Sequence, residues 1–215
     1  RLTEVEKQNI SNPAHGLLIY QSDGVKGFYF WDSLEWKLIG SYDNKACDLQ
    51  IGDEYQGGII FYLEPSGCHG LIAAKEDVPY ECKWYSSSRE YRRVYTHSNG
   101  IGAGKLNTEL ILNESRNSFT NENEYFTSAV YKSSTYYSEG YGDWYLPSKY
   151  ELTLLYHNIG ETNYGLKKPY YWTSSEYWDT WGGDPNKAYY FNTTYNSSYT
   201  TSKSSKCSVR PIRIF

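Results

Sequence analysis

Apolar residues near the start of this chain come in short blocks: Leu17-Leu18-Ile19-Tyr20, Phe28-Tyr29-Phe30-Trp31 and Trp36-Lys37-Leu38-Ile39. Turn signals at Ser22-Asp23-Gly24 and Asp32-Ser33 separate them, so the pattern predicts a three-stranded meander. Thr3-Glu4-Val5-Glu6 before it has the form of a capping box and predicts a short helix to about Ile10, stopped by Asn12-Pro13. Three short strands cannot bury Leu17, Ile19, Phe28, Phe30, Trp31 and Trp36 among themselves. That apolar surface must pack on the next domain or on copies of itself.

A second pattern begins near residue 46. Gly57-Gly58-Ile59-Ile60-Phe61-Tyr62-Leu63 and Gly70-Leu71-Ile72-Ala73-Ala74 predict a buried hairpin, joined by Glu64-Pro65-Ser66-Gly67. Residues 76–104 read as loop, with Lys83-Trp84-Tyr85 as a short strand. From Leu106 to about Lys132 the spacing is loosely helical, broken near 117–123. Pro147 to Tyr156 predicts a helix with Pro147 in its first turn, Leu152, Leu155 and Tyr156 on one face, and an end at Asn158-Ile159-Gly160. The last third opens on the strand-like Tyr170–Glu176 and closes on Val209–Phe215. Between them the pattern predicts a polar-aromatic tip (177–187), a half-buried strand (188–194) and a polar loop (195–206). The fold class is α+β: a small module over 1–45 and a main domain over 46–215.

Composition narrows the function. With 39% hydrophobic and 21% charged residues, the 215-residue chain should fold. A net charge of −4 gives no sign of a nucleic-acid partner, and no apolar run is long enough for membrane insertion. Arg1 at the start and the lack of Met predict a mature form or a fragment. The 25 tyrosines and 7 tryptophans exceed what one core needs, and these side chains supply rigid, amphipathic contact area. The four cysteines form no CxxC pair, which argues against a zinc site. Pairings Cys68–Cys82 and Cys47–Cys207 are expected, against four reduced thiols, and the polar surface suggests an extracellular setting.

Candidate chemistry is thin. Gly102-Ala103-Gly104-Lys105 fails the phosphate-loop pattern, because Asn99 and Leu106 stand where Gly and Ser/Thr are needed. Cys207 and Arg213 have phosphatase-like spacing but flank a strand-like segment containing Pro211, not a loop that opens onto a helix. His15, His69, His97 and His157 show no metal or general-base spacing. Asp143 and Glu151 read as a turn residue and a helix-start residue rather than a catalytic pair. Asp184-Pro185-Asn186 echoes the Glu-Pro-Asn triplet of calcium-dependent lectins, with Asp for Glu and no Trp-Asn-Asp partner downstream. A plain turn is the simpler reading, so no cofactor is expected and Asp184 and Asn186 are the only calcium candidates. Tyr177, Trp178 and Trp181 stand among Asp, Thr, Gly and Pro, where burial of all three would be unusual; exposed, they suit stacking on sugars or capture of a protein. The expected ligand contacts are Tyr177, Trp178, Asp179, Trp181, Asp184, Asn186, Asn192, Tyr195, Asn196 and Tyr199.

Two resemblances add to this reading. The run Asn12–Gln21, with Gly27–Trp31 and Trp36, resembles a short module of secreted bacterial and tail-fibre-like proteins, which implies a trimeric fibre connector between stalk and head. In residues 50–215 six motifs occur in order: Gly57–Phe61, His69–Ala74, Gly100–Thr108, Gly142–Ser148, Tyr171–Glu176 and Val209–Arg213. Together they resemble the C-terminal domain of the collagen-like bacterial adhesin (Lcl-type) family. This resemblance implies a C-type-lectin-like fold with two helices, small antiparallel sheets and a long loop region. It also implies a trimer at a cell-surface or phage-fibre tip, and a glycan or cell-surface protein as ligand. Some relatives of that family are diversified by retroelements in the final third. The rival readings are a formylglycine-generating-type enzyme on the same fold, which depends on reactive cysteines, and a purely structural trimeric tip.

Overall fold

The computed structural model describes residues 1–39, 47–85, 93–118 and 126–215. The chain divides into two compact units, Arg1–Cys47 and Asp48–Phe215. The segment that carries the expected boundary at 45/46 lies largely outside the described residues.

In the first unit, Thr3 caps helix α1 (Glu4–Gln8), and Glu6 closes a reciprocal capping box. The helix ends at Asn9, one turn at most before the expected stop. Strands β1 (Leu18–Gln21), β2 (Gly27–Trp31) and β3 (Trp36–Leu38) form an antiparallel meander. The register places Ile19, Tyr29 and Leu38 on one face. There the buried Lys7 of α1 sits with its ammonium 3.9 Å from the centre of the Tyr29 ring. Leu18, Tyr20, Phe28 and Phe30 alternate onto the other face, where Leu18 and Phe28 are each 53% exposed. One face of the meander is therefore covered and the other left apolar and open.

The second unit is α+β, as its pattern predicts. Strands β4 (Glu54–Tyr55), β5 (Gly58–Leu63), β6 (Gly70–Ala74) and β10 (Ile212–Ile214) form a sheet in the order β10-β6-β5-β4. The near-continuous apolar runs of β5 and β6 make sense because both faces are covered. Ile59, Phe61, Leu71 and Ala73 join Leu152 and Leu155 in one core cluster, while Ile60, Ile72 and Ala74 pack with Trp144 in another. Helix α2 (Ala103–Ser118) and helix α3 (Ala129–Ser134) bracket the expected helical break, most of which lies outside the described residues. Helix α4 (Lys149–Ile159) is capped by Ser148, so Pro147 precedes the helix instead of sitting in its first turn. Gly160 closes α4 in a right-handed conformation, at the expected end.

Strands β7 (Tyr170–Glu176), β8 (Lys187–Asn192) and β9 (Ser197–Ser202) form the last sheet. Half of the stretch 195–206, expected as a loop, is β9. It has few apolar residues and is a strand because it pairs in full register with β8. Lys83-Trp84-Tyr85 is not a strand; the flanking Cys82 makes an isolated bridge to Cys207. The expected strand 209–215 shortens to β10.

Many motif residues prove to be buried polar fasteners. Glu151 accepts from the backbone N–H groups of Gly102 (2.9 Å), Gly104 (3.0 Å) and Ser148 (2.8 Å), and from the Tyr145 hydroxyl (3.0 Å). A Cβ on Gly104 would lie 2.5 Å from Glu151 Oε2, which explains the glycine there. Arg210 donates to Asp77 (2.7 Å) and to the Tyr164 carbonyl (2.6 Å), and Arg213 pairs with Asp143. Thr173, Ser174 and Ser175 are buried; the Trp84 indole donates to the Thr173 carbonyl at 2.6 Å, and Ser175 Oγ accepts from Lys149 N.

The cysteines depart from expectation. Cys47 and Cys68 are the disulfide-bonded ones, and Cys82 and Cys207 are buried free thiols, which overturns both expected pairings. Cys82 and Cys207 face each other across the antiparallel bridge, with N···O distances of 2.9 and 3.1 Å. Short-loop arithmetic favoured Cys68–Cys82, but long-range strand placement decides which sulfurs meet. Burial pushes the Cys82 thiol up to about 11 and the Cys207 thiol up to about 12. Only a thiolate is a good nucleophile, so both should stay unreactive at neutral pH. Ellman titration of the native protein is expected to find no reacting thiol, and two after unfolding without reductant. Fast native labelling would contradict this burial.

Candidate ligand-binding site

The end of β7 and the start of β8 hold the tip between them. Asp179 organises it: its Oδ1 accepts from Trp181 N (2.9 Å) and Gly183 N (2.7 Å), and its Oδ2 accepts from the Tyr177 hydroxyl (2.8 Å). The Gly183 N–H, then the Tyr177 hydroxyl, hold the Asp179 carboxyl below its usual range. Gly183 has φ +61°, and a Cβ there would meet the Tyr177 carbonyl at 2.7 Å, so the bend requires glycine. The turn leaves the Trp181 side chain 95% exposed and Trp178 about half exposed.

Residues 93–97, within the expected loop 76–104, complete this surface. The Arg93 guanidinium lies 4.9 Å from the Trp178 ring centre and donates to the Gly183 carbonyl at 2.6 Å. His97 sits 4.7 Å from the same indole, and the exposed Tyr95 packs edge-on against His97 at 6.2 Å. Tyr95 has φ +61°. Glu176 holds it there, accepting from Val94 N and Tyr95 N (2.8 Å), while Lys203 pairs with the same carboxylate. The result is a patch of Tyr95, His97, Trp178 and Trp181 braced by Arg93 and Asp179. The only sequence signal for the first two was aromatic rings set among polar residues.

The other expected contacts fall elsewhere. Asp184 Oδ1 accepts from Asn186 N at 2.9 Å, so the triplet forms a side-chain-stabilised turn, and Asp184 also lies 3.7 Å from the Lys187 ammonium. Asn186 Oδ1 and Arg93 Nη1 are buried without a hydrogen-bond partner among the described residues. Those residues contain no group of three or more His, Cys, Asp or Glu that could hold a metal ion. Asn192 is buried, with its Oδ1 accepting from Thr194 N and Tyr195 N, and it shapes the β8–β9 turn. Tyr195, Asn196 and Tyr199 are exposed at that turn. β8 runs between tip and turn, a span of about 17 Å at the usual rise per residue. The expected contacts thus form two groups, one at each end of β8, and not one continuous loop surface.

Comparison with known families bears on the first unit. Residues 1–51 match the family described as a phage tail-like trimerisation region. This supports a homotrimer and a place in a tail or fibre protein. The open apolar face of the meander, with Leu18 and Phe28, is the kind of surface such an assembly buries. No curated protein matches the chain. Among the described residues, no helix is long and apolar enough to cross a membrane.

Proposed function

We propose that the second unit is the ligand-binding head of a trimeric tail fibre or surface adhesin, working outside the cell without catalysis. The observation that carries this reading is the exposed Trp178–Trp181 pair, held by a hydrogen-bonded turn instead of buried in a core. Trp181 is open to water and Trp178, with Arg93 over its ring and His97 beside it, is half exposed; a rigid turn makes this aromatic surface ready to stack on a sugar ring or a protein side chain. The motif order resembling the collagen-like adhesin domain points the same way, as does a C-type-lectin-like reading of the α+β unit. The reading invokes no cofactor.

The test is the double variant Trp178→Ala/Trp181→Ala on a glycan and cell-surface protein array. Each aromatic anchor is expected to contribute about 2 kcal/mol, so binding should fall by at least about 30-fold with unchanged melting temperature. Wild-type binding by a folded double variant sinks the reading. The formylglycine-type enzyme finds little support, because that chemistry needs reactive thiols and the free thiols here are buried and pushed up.

Assembly is tested separately. Placing charge on the open meander face with Leu18→Glu/Phe28→Asp is expected to convert a sedimenting trimer to monomer. A trimer that persists would place the assembly surface elsewhere.

A further inference from the structure

Cys82 and Cys207 take no part in the tip or in the assembly face, yet the fold sets them against each other. They stand at directly opposed positions of an antiparallel bridge. Each N–H donates to the other residue's carbonyl, at 2.9 Å from Cys82 and 3.1 Å from Cys207. A pair that exchanges both bonds has its α-carbons about 5.5 Å apart, inside the roughly 4.4–6.8 Å that a disulfide spans. Opposed residues point to the same side of the pairing, and both thiols belong to one core cluster with Trp84, Trp172 and Val209. The bridge is isolated and not part of a ladder, so its two segments can make the small adjustment that a sulfur–sulfur bond needs.

The surroundings favour no other use of the two sulfurs. Cys82 Sγ has only a weak contact with the Tyr80 carbonyl, at 3.6 Å, which it can give up. Among the described residues, no group of three or more metal-binding side chains includes them, so a zinc site is not formed. Access is a matter of one local opening, because Glu81 and Lys206, the neighbours of the two cysteines in the chain, are both exposed. The same chain carries disulfide-bonded cysteines at 47 and 68, and disulfides persist in oxidising surroundings, where a further dithiol can close as well.

We infer that Cys82 and Cys207 are the site of a further disulfide, closed by exchange with a small-molecule disulfide such as glutathione disulfide. The Cys82 thiolate attacks one sulfur of glutathione disulfide, and one glutathione leaves as its thiolate. The Cys207 thiolate then attacks Cys82 Sγ in the mixed disulfide and expels the second glutathione. The dithiol gives up two electrons and two protons, and one glutathione disulfide becomes two glutathione thiols. Burial makes this slow in the closed protein, so the bond forms as the chain folds or when the bridge opens. The link joins positions about 125 residues apart, and a loop of that length removes much freedom from the unfolded chain. It also fastens the frame of the tip. The Cys82 carbonyl accepts from the Trp172 indole of β7 at 2.8 Å, and Trp84 N donates to the Lys203 carbonyl at 3.0 Å. The inference does not depend on what the tip binds.

The experiment uses the full 215-residue chain with both thiols free. One sample is kept folded with glutathione disulfide at mildly alkaline pH; another is refolded from urea in a glutathione redox buffer. In the refolded sample the two thiols titrated after unfolding are expected to disappear, the intact mass to fall by two hydrogens, and a non-reducing digest to yield a peptide joining Cys82 to Cys207. The folded sample should reach the same product more slowly. The melting temperature is expected to rise by about 5 °C or more, and Cys82→Ser/Cys207→Ser should show no such response to the oxidant. Free thiols that persist through refolding, a glutathione adduct on either cysteine without the link, or a link that lowers the melting temperature overturns the inference.

Discussion

Lys203→Met is expected to destabilise the larger unit by about 3–5 kcal/mol and to lower its melting temperature by about 10 °C. Lys203 and Glu176 are both almost wholly buried, their side chains 3% and 0% exposed. The lysine gives up hydration, and burial, partly offset by Glu176, holds its ammonium below the ordinary range. Methionine keeps an apolar stem but loses the ammonium, which lies 4.7 Å from the Trp84 ring centre and 5.2 Å from that of Tyr85, and leaves Glu176 without its counter-charge in a dry site. Removing one partner is costlier than never having had the pair, because the other charge stays buried and uncompensated. The double change Lys203→Met/Glu176→Leu should recover only part of the loss. Val94 N and Tyr95 N would then lose their acceptor, so the segment that carries Tyr95 and His97 should loosen. Thermal and urea unfolding measure the stability, and hydrogen exchange at Val94 and Tyr95 reports the loosening. A change below about 1 kcal/mol in the single variant would show that the pair is not held as described.

Glu151→Ala is expected to cost about as much, roughly 4 kcal/mol. Each carboxylate oxygen there takes two donors: Gly102 N and the Tyr145 hydroxyl on Oε1, Gly104 N and Ser148 N on Oε2. Alanine strands four donors, three of them buried, at the junction of α2 and α4. Glu151→Gln should cost roughly half, since its amide nitrogen faces two donors while its oxygen still serves the other pair. Gly104→Ala attacks the same junction from the other side, because its Cβ has no room beside Oε2. Chemical unfolding that ranks Gln above Ala in stability supports the arrangement; equal losses would mean the donors find water instead.

Glu151 also shows what was legible. Its place in the first turn of a helix follows from the pattern of 147–156 and the helix dipole, both local signals, and the structure adds a Ser148–Glu151 capping box. Its reach across to Gly102 and Gly104, about fifty positions earlier, leaves no local trace. The Gly-Ala-Gly-Lys stretch fails the phosphate-loop pattern, and the reason for Gly104 lies in that distant carboxylate.

The pattern of apolar blocks by itself determined the meander of the first unit, the β5–β6 hairpin, helix α4, strand β7 and the α+β class. These depend on periodicity and caps, which act over a few residues. Strand β9 was not legible, because Ser197–Ser202 is a strand through its hydrogen bonds to β8 and not through any apolar alternation. Which cysteines pair, and the burial of Thr173 to Glu176, were likewise decided by long-range packing. So was the division of the expected contacts: ten residues close in sequence were separated by β8 into a tip and a turn, while Arg93, Tyr95 and His97, some eighty positions upstream, were brought to the tip by the Glu176 carboxylate. Local chemistry selects the elements; only the closed tertiary structure decides which distant side chains share a surface, because that choice rests on hydrogen bonds and contacts between residues far apart in the chain.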